Sequence, residues 1–375
     1  MGVAANRSSF DPCLRKRAGV WLTLASASGL IVFVLWPGLA QRTDSEEVNI
    51  FFHGFQDTRG VTVLSPAFDL TKDFTDRTSL KVKFGVDAIS ASSDSCARCH
   101  PSGIRSQRAV GSLGVNRKYG DATLGVSAEF SQENFYRATT ISTTAARTLN
   151  KANTTIAGGY AFSYNQPVLH PSEFAETQYA HDGYLSLTQT LTKSTVAQIG
   201  VELARISGYQ TSPFLRASVN GQLTPGQSPD LRNRYTFSAR LKQALPGATY
   251  LDLDYRRYHD SWQIDSNSVS LGLTHHFGDT LLAQGSMRLY DQTGASFYAP
   301  EYTGNPRFYT GDFRLFPFNS NLATGRVAYS PKDGLWGMRP GTTLTLQYER
   351  YWTSRNFEAA IFTSALTIPI GRKTP

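Results

Sequence analysis

The chain of 375 residues has no apolar run of helix-spanning length once its N-terminal segment is set aside. A helix that crosses a bilayer needs about 20 apolar residues, so a helical membrane bundle is excluded. Cysteine and methionine are scarce, with three of each. Aromatic residues are plentiful, with 22 Phe and 18 Tyr, and this composition excludes a disordered chain. The net charge of +8 is spread along the chain, which gives little support to nucleic-acid binding.

The N-terminal segment has the features of a secretory signal peptide. Three basic residues at 15–17 precede an apolar stretch at 18–36, and small residues follow at the usual cleavage positions, 38–40. A single membrane anchor is the alternative, because the apolar stretch is just long enough to span. The sequence predicts a signal peptide over 1–40 and one mature domain over 41–375.

The mature chain alternates between apolar and polar residues, segment after segment. Leu80, Val82 and Phe84 fall on one face of such a segment, and Lys81 and Lys83 fall on the other. A soluble β-sandwich would also alternate, but these segments are about ten residues long, have charges at mid-strand and carry aromatics near their ends. The pattern predicts an all-β fold, a transmembrane antiparallel up-and-down β-barrel of about 14–16 strands in the bacterial outer membrane. Because such barrels have even strand numbers, sixteen strands are expected.

The predicted turns are of two kinds, which indicates how the barrel is oriented. Tight turns such as 119–121 and 246–247 contrast with long irregular connections such as 207–232 and 293–319. Barrels keep short turns on the periplasmic side and long loops outside. With an outward-running first strand, the loop 91–106 joins the long-loop side.

That loop contains the sequence Cys96-Ala97-Arg98-Cys99-His100, the attachment signature of c-type haem. Two thiols three residues apart form the thioether links, and the adjacent imidazole of His100 binds the iron as proximal ligand. The alternatives are a chance spacing or a surface disulfide between Cys96 and Cys99, which would close a very small, often strained loop and leave His100 without a role. Zinc would need a fourth ligand that the sequence does not supply nearby. Cys13 precedes the apolar stretch and leaves with the signal peptide.

A low-spin haem needs a second axial ligand, which is His or Met. His53 lies in the first predicted strand and is the candidate distal ligand, the alternative being a lumen or girdle histidine. His170, His181 and an open sixth position are further alternatives. The pair His275 and His276 adjoins a tight turn at the opposite end and is expected to be interfacial.

Other side chains are assigned to the lumen wall or to loop packing. His259, Asp260 and Trp262 are expected to pack a loop. The aromatic-rich long loop 293–319 is expected to fold over the barrel mouth and pack on itself, with a stacking surface for a flavin or glycan as the alternative. The charged residues expected to line the lumen as ion-paired filling, rather than as a selectivity ring, are Lys81, Lys83, Asp87, Glu202, Arg240, Lys242, Asp252, Asp254 and Glu349.

Several stretches resemble the predicted outer-membrane barrels of the family called domain of unknown function 3570. The matching stretches are 63–66, 86–93, 255–262, 288–292 with 297–298, and 312–315. The resemblance covers nearly the whole mature chain. It implies an outer-membrane location and no settled activity, and the haem motif would mark a specialised branch.

The sequence therefore favours an outer-membrane barrel with one covalent haem c that transfers electrons at or across the membrane. Its partners would be outer-membrane lipid and periplasmic or extracellular cytochromes, since one haem cannot cross about 30 Å of hydrocarbon alone. A porin-like or structural barrel without a redox role is the alternative. A peroxide-handling enzyme with an open haem position is a third hypothesis. No catalytic triad, phosphate loop or carboxylate pair indicates a hydrolase.

Overall fold

The computed structural model of the chain describes residues 46–371, apart from 59, 92–104, 134, 170–173 and 213–214. The predicted signal peptide lies outside the described residues. In the described part no helix is long and apolar enough to cross a membrane. The strands are β1 (Glu47–Asp57), β2 (Val61–Thr75), β3 (Thr78–Ala91), β4 (Arg105–Tyr119), β5 (Ala122–Glu133), β6 (Tyr136–Leu149), β7 (Thr154–Leu169), β8 (Phe174–Ala175), β9 (Gln178–Thr190), β10 (Thr195–Gly208), β11 (Arg216–Val219), β12 (Gln222–Pro225), β13 (Leu231–Leu245), β14 (Thr249–Asp260), β15 (Asp265–Phe277), β16 (Leu281–Gln292), β17 (Phe318–Tyr329), β18 (Thr343–Thr353) and β19 (Glu358–Pro369).

Sixteen long strands close into one antiparallel barrel, which confirms the predicted fold and strand number. Each strand pairs with the next long strand along the chain, and β19 pairs with β1 to close the ring. The short strands β8, β11 and β12 are not part of the ring and belong to the connections β7–β9 and β10–β13. Closure gives every long strand two neighbours, so the barrel has no unpaired edge.

Large apolar side chains point outward around the barrel. Phe84, Leu113, Leu185 and Leu271 are each more than half exposed, and the side chains that alternate with them face inward. A contiguous apolar surface of this extent is stable only in contact with lipid. This distribution of side chains is the reverse of that in a soluble protein, because the apolar residues face the lipid outside and the interior is polar.

The two ends of the barrel differ, as the predicted turns indicated. One end holds the free ends of the first and last strands and mostly tight turns, for example the two-residue turn between Tyr119 and Ala122, the longer connection 330–342 being the exception. Gly120 opens that turn with a φ of 58°, the left-handed conformation that glycine adopts without steric cost. The connections β10–β13 and β16–β17 lie at the other end, which we assign as extracellular. Strand β3 ends and β4 begins at this same outer end.

Candidate functional site

The lumen wall carries the charged side chains that the alternation predicted. They keep contact with water even at mid-barrel: Lys83 is 60% exposed, Arg256 50% and Asp254 38%. A sixteen-stranded barrel is wide enough to leave an aqueous channel. The interior is therefore wetted rather than filled by an apolar core.

Most lumen charges are paired across neighbouring strands. Arg240 binds Asp254 and Lys242 lies 3.3 Å from Asp252, and both pairs are direct register partners on β13 and β14. Asp87 on β3 accepts from Arg108 on β4 at 2.6 Å. These contacts agree with the predicted ion-paired wall, because charges of opposite sign alternate along it instead of forming a ring of one sign.

One stretch of the wall is rich in hydroxyl groups. Thr140 and Ser163 hydroxyls lie 2.8 Å apart between β6 and β7, and the Ser127 and Ser142 hydroxyls lie 2.6 Å apart between β5 and β6. The inward positions of β15 are likewise short and polar, from Ser266 to Thr274. The lumen therefore has hydroxyl-lined and ionic sides.

The strongest polar network of the outer mouth is centred on Asp260, at the end of β14. Its carboxylate is fully buried and accepts from Arg232 Nε at 2.8 Å and Nη2 at 2.5 Å, and from the Tyr258 hydroxyl at 2.7 Å. It also accepts from the backbone N–H groups of Trp262 and Ile264 at 2.9 and 3.0 Å. One carboxylate thus fixes both the turn and the arginine beside it, in the loop-packing role expected of Asp260.

Trp262 extends this network into an apolar cluster. Its indole lies under the Arg232 guanidinium, 4.3 Å from ring centroid to Cζ, and packs edge-on against Phe297. Leu315 of the β16–β17 connection completes the buried cluster. By contrast, His259 faces outward and lies 3.3 Å from Asp265.

The aromatic loop 293–317 packs against a second loop, 209–230, and the two together are called the outer lobe. Backbone hydrogen bonds join Tyr302 to Ser218 and Asn220, and Gln227 to Tyr309. The Tyr302 hydroxyl, inside the lobe, contacts four backbone groups of its own loop. The loop therefore packs on itself as predicted, and it also packs on a partner loop that the sequence did not identify.

The predicted haem-binding residues Cys96, Cys99 and His100 lie outside the described residues, as does His170. The described strand ends show only that their segment joins β3 to β4 at the outer end. Among the described residues no group of three His, Cys, Asp or Glu side chains is arranged to hold a metal ion.

The remaining histidines are separated by the barrel's alternation. His53 faces the lumen, and its Nδ1 lies 2.9 Å from the Thr363 hydroxyl. His181 faces outward, with its Nδ1 2.6 Å from the Tyr160 hydroxyl. His275 and His276 lie on opposite faces at the short-turn end, next to Phe277 and Tyr250 respectively. Of these four, His53 is the lumen-facing histidine on the outer half of the wall.

A closed sixteen-stranded barrel with an apolar outer surface and a polar, wetted interior defines an outer-membrane β-barrel protein. The sequence profile of the family described as "Protein of unknown function (DUF3570)" matches residues 95–351, and the chain belongs to that family. This confirms the resemblance over residues 95–351, whereas the motif stretches 63–66 and 86–93 lie outside the matched residues.

Solved structures to which the chain is similar include three outer-membrane proteins of Pseudomonas aeruginosa. The siderophore receptor PirA has 13% identity and a TM-score of 0.46, with 88% of this chain and 63% of the receptor covered. A mutant of the ferric enterobactin receptor PfeA has 14% identity and a TM-score of 0.47, with 82% and 53% covered. The outer membrane protein opdK has 8% identity and a TM-score of 0.44, with 86% and 98% covered. The chain thus spans less than two thirds of the two receptors. A search of curated protein sequences gave no match.

Proposed function

We propose that this outer-membrane barrel is a porin-like pore for small polar solutes. The observation that carries the proposal is the wetted, charged lumen wall, in which Lys83 and Arg256 at mid-barrel are at least half exposed. Water that reaches these side chains allows hydrophilic solutes, which do not cross the lipid, to pass through the lumen. Because the wall charges are of both signs, selectivity between cations and anions would be weak.

Single-channel recording in planar bilayers tests the pore. We expect discrete, ohmic current steps that do not change with redox state. Ser270 faces the lumen on β15 and its neighbour Val269 faces lipid. Ser270→Trp is therefore expected to lower the conductance, while the matched control Val269→Trp leaves it unchanged. A purified, folded barrel that gives no current steps would show that the pore is closed.

A second function is favoured by the haem-attachment motif: electron transfer through one covalent haem c at the outer mouth. The segment with Cys96, Cys99 and His100 begins and ends at the outer rim, where an extracellular electron partner has access. Chain reach also supports His53 as the distal ligand. Four residues, 101–104, join His100 to Arg105, and these five steps along the chain span at most about 17 Å, which suffices for the lumen wall beside β3 and β4.

His53 also has a feature of haem ligands. Its contact to the Thr363 hydroxyl, 2.9 Å from Nδ1, would fix the ring and present Nε2 as the metal-binding atom. When bound, the haem would supply one-electron chemistry, and the protein would set its potential through the axial ligands and the local polarity. Periplasmic or extracellular cytochromes would be the redox partners.

Covalent haem is tested on outer membranes from cells that express the c-haem maturation system. We expect a haem-stained band and a pyridine haemochrome spectrum for the parent, both lost in the variant Cys96→Ser/Cys99→Ser. His53→Ala should convert a low-spin spectrum to high spin, whereas His276→Ala, at the other end of the lumen, should not. If the parent binds no haem while a control cytochrome matures, the redox proposal is wrong and the pore proposal is unaffected.

A further inference from the structure

The lumen wall contains a recess beneath the outer lobe. It lies on β9, β10, β13 and β14, has a cavity volume of about 60 Å³ and is open to the lumen. Its lining includes Asp182, Glu202, Ala204, Arg234, Thr236 and Arg256. Tyr258 closes the outer side and packs against the apolar cluster of the lobe. A solute that enters past the lobe meets this recess on its way into the lumen.

Strand register explains why a recess forms here. Ala204 is the direct partner of both Asp182 and Arg234, and Thr236 is the direct partner of Glu202. Two short side chains therefore lie at the centre, with longer charged side chains around them. Farther along the same wall the charges face each other directly, as in Arg240 and Asp254, and leave no such gap.

The charges of the recess are divided between its two sides. Asp182 and Glu202 lie on β9 and β10, and Arg234 and Arg256 lie on β13 and β14. Their charges sum to zero, so the recess presents a dipole rather than a net charge. Arg256 reaches Glu202 at 3.3 Å, but within the described part of the chain the Asp182 carboxylate has no hydrogen bond or ion pair.

We infer that the recess binds small zwitterions of the α-amino acid type, a specificity that rests on the proposed pore. The ammonium group of the solute binds Asp182, and its carboxylate binds the guanidinium side formed by Arg234 and Arg256. Arginine suits this role because its planar fork matches a carboxylate. A simple metal cation fits worse, because two arginines adjoin the two carboxylates and oppose a positive ion.

Alanine and its uncharged isomer lactamide provide a matched pair of probes. Saturation-transfer NMR on the detergent-solubilised full chain measures binding, and uptake of each labelled solute into proteoliposomes at submillimolar concentration measures transport. Because an exposed charge contact adds only modestly to affinity, uptake of alanine should exceed uptake of lactamide by about two- to fivefold and should saturate.

Two variants and one control test the assignment. Asp182→Asn and Arg256→Gln each remove one charge of the dipole and should bring the uptake ratio to about one. The double variant Arg240→Gln/Asp254→Asn removes an ion pair elsewhere on the wall and should keep the parent's ratio. Loss of the NMR signal of alanine in Asp182→Asn, with a folded barrel, would support the site even if the barrel proved not to conduct.

Three outcomes would overturn the inference. The first is equal, unsaturable uptake of both solutes by a conducting parent, which would leave the pore proposal intact. The second is an alanine signal that Asp182→Asn and Arg256→Gln do not change. The third is competition by methylammonium alone that matches alanine, which would indicate a cation site and not a site for zwitterions.

Discussion

Replacing Asp260 with alanine is expected to loosen the outer mouth more than any other single carboxylate removal there. The Asp260 side chain is fully buried, and its partner Arg232 is only 11% exposed. The substitution leaves that guanidinium without its carboxylate and removes the acceptor for the backbone N–H groups of Trp262 and Ile264. The lost contacts hold the turn to which the outer lobe is attached.

The size of the effect follows from these contacts. Breaking a buried ion pair by removing one partner costs about 3–5 kcal/mol, because a charge is left buried and uncompensated. Two backbone donors without acceptors add about 1 kcal/mol or more, reduced where water enters the space. We therefore expect Asp260→Ala to lower the free energy of unfolding by about 4–6 kcal/mol.

Asp265, five positions along the same turn, is the matched control. Its carboxylate lies 2.5 Å from Arg257, but it is 34% exposed and Arg257 is 44% exposed. An exposed pair of this kind contributes about 0–1 kcal/mol, so Asp265→Ala should be nearly neutral.

Urea unfolding in lipid vesicles measures both variants, and hydrogen exchange at the amides of Ile264 and Ala295 reports whether the lobe opens before the barrel. Protease cleavage within 293–317 gives an independent measure of lobe opening. If Asp260→Ala and Asp265→Ala differ by less than about 1 kcal/mol, the buried-pair argument is refuted. The network would then contribute orientation and not stability.

Two further predictions concern the wall and the lobe. Leu185→Lys places a charge against lipid and should reduce the yield of folded barrel, at a cost of about 2–4 kcal/mol. In the control Ser186→Lys the new side chain points into the lumen, so this variant should fold normally. The heat-dependent gel shift of folded barrels measures both yields, and equal yields would contradict the assigned faces. A Cβ at Gly311 would lie 1.9 Å from the carbonyl oxygen of Arg216, so Gly311→Ala should separate the two loops and speed protease cleavage of the lobe, whereas Gly285→Ala, with no atom within 4 Å, should leave cleavage unchanged.

The barrel could be predicted because its main constraint is local in the sequence. Each strand contacts lipid on one face and water on the other, so apolar and polar residues alternate in every segment, as in Phe84 beside Lys83. The same alternation correctly placed Glu202 on the lumen face. Strand number followed from counting segments, since closure favours an even number.

The outer mouth was only partly predictable, because its contacts join residues far apart in sequence. The pairing of Arg232 with Asp260 depends on the register of β13 with β14, which puts the two side chains on one face at one end. The contact between Asn220 and Gly304 joins two loops whose mutual position no periodic pattern encodes. A buried acid flanked by tyrosine and tryptophan, Tyr258 to Trp262, was the available signal, and it indicated packing without indicating the partner.

The recess was missed for a related reason. Each of its charges was visible as a polar position in an alternating strand, and Glu202 was assigned to the lumen. The recess depends instead on the small residues between them, and Ala204 acquires its meaning only when register places it between Asp182 and Arg234. Once the register is known, small inward residues on three neighbouring strands therefore indicate a recess as clearly as the charged residues around them.

The positions of the two candidate sites make the proposals separable. The haem-attachment segment joins β3 to β4, whereas the recess lies on β9 to β14, so β5, β6 and β7 intervene on the nearer side. With strands about 4.8 Å apart, four strand spacings separate β4 from β9 along the wall by about 19 Å. Substitutions that far apart with no shared contact act independently. Cys96→Ser/Cys99→Ser should therefore leave the preference for alanine intact, and Asp182→Asn should leave haem attachment intact. If either substitution changed the other site's readout, the haem would have to reach into the lumen toward the recess, and the pore and the redox centre would share one site.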